Sequence, residues 1–198
     1  MIKEEFNEDF DLIRRFLEGE EEAFASLVRK YQKKAYYLAY RLTHNHHDAN
    51  DLSQEAFIKL YSSLKNFKGG SSFFTWFYRI ITNLCINHLS RSPRRVQTPV
   101  EDLPIPHPGA GAQSAIENKE LQIKINAAIE KLPLRQRVAF SLRQLEGLSF
   151  KETSQTMDCS IGGAKASYFH AVRKLRKYLK ELSPRINTDK NKKRVNGA

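Results

Sequence analysis

Apolar residues recur along this chain at steps of three and four, and the strict alternation that marks strands is almost absent. Leu12, Ile13, Phe16 and Leu17 predict a short first helix ended by Gly19. Phe24, Leu27, Val28, Tyr31, Ala35, Leu38, Ala39 and Leu42 trace one face of a long second helix. Asp48 is placed to cap a third helix, with Asp51 complementing its dipole, and Leu52, Ala56, Leu60 and Leu64 form its inward face. Gly69 and Gly70 mark a loop. Ser71 or Ser72 then caps a helix that turns Phe73, Phe77, Ile80, Ile81 and Leu84 inward.

The pattern stops at Ser92. Five of the seven prolines fall between Ser92 and Ala115, which predicts an extended linker and no packed element. Helical periodicity resumes with Leu121, Ile125, Ala128, Ile129 and Leu132. After Pro133 a helix over 134–146 buries Val138, Leu142 and Leu145 and ends at Gly147. Ser149 and Glu152 then form a capping box for a short helix, Asp158-Cys159-Ser160 makes a tight turn, and a longer helix turns Ala164, Tyr168, Ala171, Leu175 and Leu179 inward. The expected fold is all-α: a helical domain over 1–91, a linker over 92–115, a second helical domain over 116–182, and a disordered basic tail over 183–198.

Charge sharpens this picture. Lys and Arg number 33 against 22 acids, a formal net charge of +11 over 198 residues. Acids crowd residues 1–22, whereas residues 160–180 hold none. A basic excess gathered on one helix favours a polyanionic partner. The cysteines Cys85 and Cys159 sit inside apolar helical patterns and read as reduced core residues of a cytosolic protein. No apolar run is long enough to cross a bilayer, and the charged N-terminus does not read as a signal peptide.

A short helix, a three-residue turn and a longer basic helix is the helix-turn-helix plan. Gly162, Gly163, Lys165, Ala166, Phe169 and His170 lie early on the outward face of the last helix, where base edges are within reach. Arg173, Lys174 and Lys177 follow, where phosphates lie. In the first domain Trp76, Arg79, Asn83 and Asn87 step by three, four and four, a line offering stacking, charge and amide edges to single-stranded bases. The small-residue loop Lys68, Gly69, Gly70, Ser71 and Ser72 offers room for a flipped base. Asp51, Leu52, Gln54, Glu55, Phe57 and Lys59 form a mixed acidic and apolar face, which predicts a protein partner for this basic chain. His44, His46, His47 and Asp48 read as a solvated turn in preference to a metal site. No nucleophile, base and acid constellation and no glycine-rich phosphate loop occur, so neither an enzyme nor a cofactor is expected.

These segments together resemble a bacterial RNA polymerase sigma factor of the extracytoplasmic-function group. AFASLVRKY, DANDLSQEAFIKLY and FKGGSSFFTWFYRIITNLCIN are similar to the family's second region, and LPLRQRVAFSLRQLEGLSFKET with the helix after it to its fourth. The resemblance implies that residues 51–59 dock on the clamp helices of the polymerase beta-prime subunit. It implies that residues 68–73 with Trp76, Arg79, Asn83 and Asn87 capture and melt the minus-ten element. Lys165, Ala166, Ser167, Phe169, His170 and Arg173 would read the minus-thirty-five element. Core polymerase (beta-prime clamp helices and beta flap), promoter DNA and an anti-sigma factor are the partners it implies. The chain departs from the family where Thr153-Ser154 replaces Ile-Ala and where Gly162-Gly163-Ala164-Lys165-Ala166-Ser167 replaces Gly-Thr-Val-Lys-Ser-Arg. The competing reading is a dimeric helix-turn-helix regulator with an N-terminal sensory domain.

Overall fold

The computed structural model describes residues 2–91 and 124–182, with side chains for 8–91 and 124–180. The expected linker, the first residues of the second domain and the basic tail lie outside the described residues. No strand occurs among those described. The helices are α1 (Ile2–Leu17), α2 (Glu21–Thr43), α3 (His46–Ser63), α4 (Phe73–Arg91), α5 (124–130), α6 (Leu134–Phe140), α7 (Phe150–Thr156) and α8 (Ile161–Leu182). A 3₁₀ turn, Leu64–Asn66, ends α3, and a π turn, Ser141–Leu145, prolongs α6.

The first domain is built around α2, which packs against α1, α3 and α4. Its apolar stripe of Leu27, Tyr31, Ala35, Leu38, Ala39 and Leu42 is buried as the periodicity requires. Leu52, Ala56, Leu60 and Leu64 close the core from α3, and Phe73, Phe77, Ile81 and Leu84 from α4. Aromatic rings interlock at the centre: Tyr31 meets Phe73 edge-on at 5.2 Å, and Phe73 stacks on Phe77 at 5.9 Å.

Asp9 ties α1 to this core. Its carboxylate is buried, accepts from the Tyr31 hydroxyl at 2.6 Å and pairs with the Lys30 ammonium at 2.8 Å. Lys30 is completed by Glu8 at 2.6 Å. Helix α1 is therefore not short: it runs 16 residues, most of them polar. The apolar pattern reports only Leu12 to Leu17, because the turn before them is tied to the core through the Asp9 carboxylate, which a hydrophobic pattern does not register. Leu17 itself is exposed.

The caps differ from expectation in one place. Asn45, not Asp48, caps α3: its side-chain oxygen accepts from the Asp48 amide at 2.9 Å. Asp48 instead reaches His88 of α4 at 3.1 Å. Ser72 caps α4 by accepting from the Thr75 amide at 3.1 Å, and both bonds of the Ser149–Glu152 capping box form.

In the second domain α6 and α7 pack against α8. Val138 and Leu142 are buried, but Leu145 is largely exposed. The π turn accounts for this, since one extra residue in a helix rotates the turn after it by roughly 100°. Gly147, at φ +74°, then ends the helix, and the Leu148 amide reaches back to the Leu142 carbonyl at 3.0 Å. The tight turn before α8 holds Asp158 at φ +49°. Thr153 and Ser154 occupy buried positions of α7, where each hydroxyl bonds to a carbonyl of its own helix, Ser149 at 2.8 Å and Lys151 at 2.7 Å. A smaller apolar cluster joins Ala128, Ile129 and Leu132 to Ala171 and Leu175.

Removing the Asp9 carboxylate takes away the acceptor of the Tyr31 hydroxyl and one of the two carboxylates paired with the Lys30 ammonium. Asp9→Ala is expected to lower unfolding stability by about 1–3 kcal/mol, measured by urea denaturation. An unchanged midpoint would show that α1 is held by other contacts.

Candidate DNA and polymerase interfaces

Three faces remain after the cores are formed. On α3 the residues Asp51, Gln54, Glu55 and Lys59 are exposed in one band. Asp51 pairs with His47 at 2.9 Å and Glu55 with Lys59 at 3.1 Å. Two residues expected on this face are not on it. Leu52 is only 5% exposed and belongs to the core. Phe57 is half-buried, its ring 4.9 Å from Phe77. Their α3 register explains both, since they share the side that faces α2 and α4. The apolar part of the face comes instead from Ile58, 71% exposed, and Tyr61, which the sequence pattern did not single out. The signal was present: Ile58 falls between the polar positions 54, 55 and 59, off the line of Leu52, Ala56 and Leu60. Tyr61 meets Phe16 at 5.2 Å and Phe24 at 5.0 Å, extending the apolar band toward α1 and α2. A shallow groove between α2 and α3, lined by Tyr36, Tyr37, Asn50, Gln54 and Phe57, runs beside it.

On α4 the residues Arg79, Asn83 and Asn87 stand exposed in a line. Trp76 is half-buried, not exposed, with its indole 5.1 Å from the Phe67 ring and 6.4 Å from Phe73. Phe73 is 1% exposed and is a core residue, so it cannot meet a base. Its register with Phe77 on the inward side of α4 decides this. The loop before α4 is shaped from below. Gly69 adopts φ +71°, and a Cβ there would lie 3.2 Å from the Phe10 ring of α1. Phe10 in turn meets Phe67 at 5.4 Å. Loop and helix enclose an open recess lined by Phe67, Lys68, Ser71, Trp76 and Arg79, with Gln155 of α7 on its far side.

On α8 the residues Lys165, Ala166, Phe169, His170, Arg173 and Lys177 are exposed, and Ser167 and Lys174 are half-buried. Arg176, exposed and one turn beyond Arg173, belongs to the same basic surface and lines a groove with Phe169, Arg173 and Lys177. At the start of the helix the Lys165 ammonium sits 5.8 Å over the Phe150 ring, and Arg143 flanks that ring at 5.1 Å. Phe169 lies 6.2 Å from Phe150. The N-terminal turn stays thin, because Gly162 and Gly163 carry no side chain and Gly163 donates to the Ser160 hydroxyl at 3.1 Å.

The histidines near residue 45 take separate partners. His46 shares a hydrogen bond with Tyr36 at 2.5 Å and stacks on Tyr40, while His47 faces Asp51. His44 is not solvated. It is buried beside Glu130 at 3.2 Å, and burial, reinforced by Arg137, pushes its pKa down to about 4. Burial acts oppositely on the Glu130 carboxyl and raises its pKa. Among the described residues no three metal-ligating side chains converge. The Cys85 thiol is buried and pushed up to about 12, so it stays protonated, and Cys159 is a half-buried free thiol in the turn before α8.

Known proteins share both halves of this arrangement. Residues 27–95 match the family described as Sigma-70 region 2, and residues 122–175 match Sigma-70, region 4. The RNA polymerase sigma-H factor of Pseudomonas aeruginosa is 36% identical over 88% of this chain and 95% of its own length. The ECF RNA polymerase sigma-E factor of Escherichia coli K12 is 37% identical over 81% of this chain and 88% of its own. A solved structure of the sigma factor RpoE with the anti-sigma factor NepR from Bartonella quintana shares the fold. Its TM-score is 0.61 at 23% identity, covering 79% of this chain and 96% of that one. A region 2 followed by a region 4 does not describe a dimeric regulator with a sensory domain. The chain belongs to the extracytoplasmic-function group of RNA polymerase sigma factors: it is a transcription initiation factor, not an enzyme, whose partners are core RNA polymerase and promoter DNA.

Proposed function

We propose that the three faces divide the work of initiation. Residues 1–91 dock on polymerase and open the minus-ten element, residues 116–182 read the minus-thirty-five duplex, and residues 92–115 thread the polymerase cleft between them. The observation that carries this reading is the separation of surface chemistry. The α3 face is acidic and apolar, the α4 face aromatic and amide-rich, and the α8 face basic around an exposed Phe169. On α3, Asp51, Gln54, Glu55 and Lys59 meet the beta-prime clamp helices around an apolar centre at Ile58, with Leu52 and Phe57 supporting them from beneath. On α4, bases enter the recess above Gly69 and Gly70, stack against Trp76, and meet Arg79, Asn83 and Asn87. Phe73 holds the helix without touching DNA. On α8, Lys165, Ala166, Ser167, Phe169 and His170 face base edges, and Arg173, Lys174, Arg176 and Lys177 face phosphates. The second domain also meets the beta flap. The protein works in the cytoplasm with its polymerase. An anti-sigma factor is its proposed regulator, a reading supported by the inhibitor bound in the Bartonella quintana structure. No helix among the described residues is long and apolar enough to cross a membrane.

Docking is tested first. Ile58→Asp places a charge at the centre of the apolar band, and Glu55→Lys reverses one acid at its edge. Both are expected to lose competition against another sigma factor for core polymerase, Ile58→Asp by about tenfold or more. Equal competition by both variants would move the docking face elsewhere.

Melting is tested on the α4 face. Asn83→Ala is expected to reduce permanganate reactivity of promoter thymines while closed-complex binding stays intact, and a pre-melted promoter is expected to restore activity partly. Gly69→Ala forces a side chain into a left-handed backbone at a cost of about 1–2 kcal/mol and against the Phe10 ring. It is expected to give the same phenotype through the loop. Parallel loss of closed and open complexes would refute the assignment.

Duplex reading separates two positions on α8. Lys165→Ala is expected to cost about 1–3 kcal/mol on the preferred minus-thirty-five sequence and to relax that preference. Arg173→Ala is expected to weaken all sequences alike and to flatten the salt dependence by about one unit of slope. Holoenzyme binding to a promoter series at several salt concentrations is the measurement. Equal weakening of every sequence by Lys165→Ala would overturn this docking of the helix.

A further inference from the structure

The loop that frames the α4 recess is held by side chains more than by its backbone. Phe67 closes the 3₁₀ turn, its amide donating to the Leu64 carbonyl at 3.0 Å, and the Ser72 carbonyl accepts from the Trp76 amide at 3.1 Å. Between those two bonds, among the described residues, no backbone–backbone hydrogen bond ties 68–71 to another element. What fixes this stretch lies beneath it. The Phe10 ring of α1 stands under Gly69, with two of its carbons 3.2 and 3.3 Å from where a Cβ would be. The same ring meets Phe67 at 5.4 Å. Phe67 in turn meets Trp76 at 5.1 Å and the buried Phe73 edge-on at 6.1 Å. Phe10, Phe67 and Trp76 therefore form one line of rings, running from α1 to the aromatic wall of the recess.

The place of Phe10 is set from its other side. Asp9, one residue before it, is held by the Tyr31 hydroxyl and the Lys30 ammonium of α2. A helix turns about 100° per residue, which carries Phe10 round to the loop. Leu12 and Ile13 enter the core, whereas Phe10 stays half-buried against the loop. Helix α1 thus joins the recess through two ties of different chemistry: a buried carboxylate onto α2 and a ring onto the loop. Gly69 is the complement of that ring. Its φ of +71° and its missing side chain let the backbone pass directly over Phe10. A loop without backbone bonds samples many conformations, and whatever binding must order subtracts from affinity. The ring beneath this loop removes part of that ordering in advance.

We propose that Phe10 is a positioning residue for capture of the minus-ten strand: through Gly69 and Phe67 it holds the loop and the Trp76 indole in the form that receives an unstacked base. Helix α1 is then a functional part of the recess and not only a cover for the core. The inference rests on the assignment of α4 to the minus-ten element. Phe10 itself touches no DNA. Removing its ring leaves the exposed residues of α3 and α8 as they are, so docking on polymerase and duplex reading persist while base capture weakens. The ring also couples Phe10 to Gly69. A methyl group at position 69 meets two obstacles, the left-handed backbone and the Phe10 ring. Only the second disappears with the ring, so the two positions are not additive.

Trp76 is the single tryptophan of the chain, so its fluorescence reports the recess directly. In the full-length chain, Phe10→Ala is expected to shift Trp76 emission to longer wavelength and to raise its acrylamide quenching, while circular dichroism keeps its wild-type amplitude. In holoenzyme it is expected to cut permanganate reactivity of promoter thymines about tenfold, the scale of one or two side chains left to be ordered on binding. Closed-complex binding and competition for core are expected at the wild-type level. Phe10→Leu, which refills the space under Gly69, is expected to restore most of the reactivity. Gly69→Ala is expected to cost less opening in the Phe10→Ala background than in the wild-type chain. Wild-type quenching and opening in Phe10→Ala would overturn the inference. Parallel loss of core binding, closed complexes and opening would also overturn it, since Phe10 would then serve folding alone. If Phe10→Ala loses helicity, the comparison moves to Phe10→Leu, whose flexible side chain can yield to a methyl at position 69: an unchanged Gly69→Ala penalty in that background refutes the coupling. Asn83→Ala separates this inference from the reading beneath it. Opening lost in Asn83→Ala but intact in Phe10→Ala discards the role of Phe10 and leaves the minus-ten assignment standing. Wild-type opening in Asn83→Ala discards that assignment and the inference with it.

Discussion

The buried ring cluster of Tyr31, Phe73 and Phe77 sets which side chains α4 leaves exposed. A helix is a rigid rod that turns about 100° per residue, so burying one side fixes the direction of every other. With Phe73, Phe77, Ile81 and Leu84 inward, Arg79, Asn83 and Asn87 must point outward, and Trp76 falls at the edge between. The same cluster explains why α1 is present. Asp9 holds the Tyr31 hydroxyl in place, and Phe10, one residue on, supports Phe67 and the loop at Gly69. A half-exposed indole seated on Phe67 needs less ordering to stack on a base than one free in solvent.

The seam between the domains is built on different physics from the cores they enclose. Within the first domain burial is mostly apolar and aromatic, with Asp9, Ser53, Thr75 and Thr82 as buried polar residues among it. Across the seam it is a mixture: an apolar cluster threaded with Glu146, Arg41, Tyr78, Arg137, His44 and Glu130. Burial opposes charge on His44 and on Glu130 alike, lowering the pKa of one and raising that of the other. An apolar core gains from every withdrawn atom, but a polar seam gains only where each group finds its partner.

The helix-turn-helix shows how unusual residues are accommodated without changing the fold. Thr153 and Ser154, where an apolar pair is usual in the family it resembles, bond to their own helix and bury their hydroxyls without loss. Gly162 and Gly163 leave the first turn of α8 without side chains, so what projects there is Lys165, braced over Phe150, and Phe169 beside it. The apolar platform of Phe150 positions a cation that would otherwise sample many rotamers.

Periodicity alone determined the order of the helices and most of their inward faces, because amphipathic helices must bury their apolar side. The capping box at Ser149, the stop at Gly147 and the basic face of α8 were legible for the same local reason. Tertiary structure decided what depends on neighbours distant in sequence. Leu52 and Phe73 are core residues, inward as their periodicity requires, so the contact roles that the resemblance implied for them do not fall on exposed side chains. Ile58 is apolar and stays outside because no helix among the described residues covers it, and Leu145 is turned out at the end of the π turn. The polar half of α1 is held by Lys30 and Tyr31, a pairing that a hydrophobic pattern does not register. His44 looked solvated until Glu130, distant in sequence, closed over it. The seam through Glu146 lay beyond any local reading, since its partners are 105 and 68 residues away, and a carboxylate on an amphipathic helix carries no mark of the guanidinium it will meet.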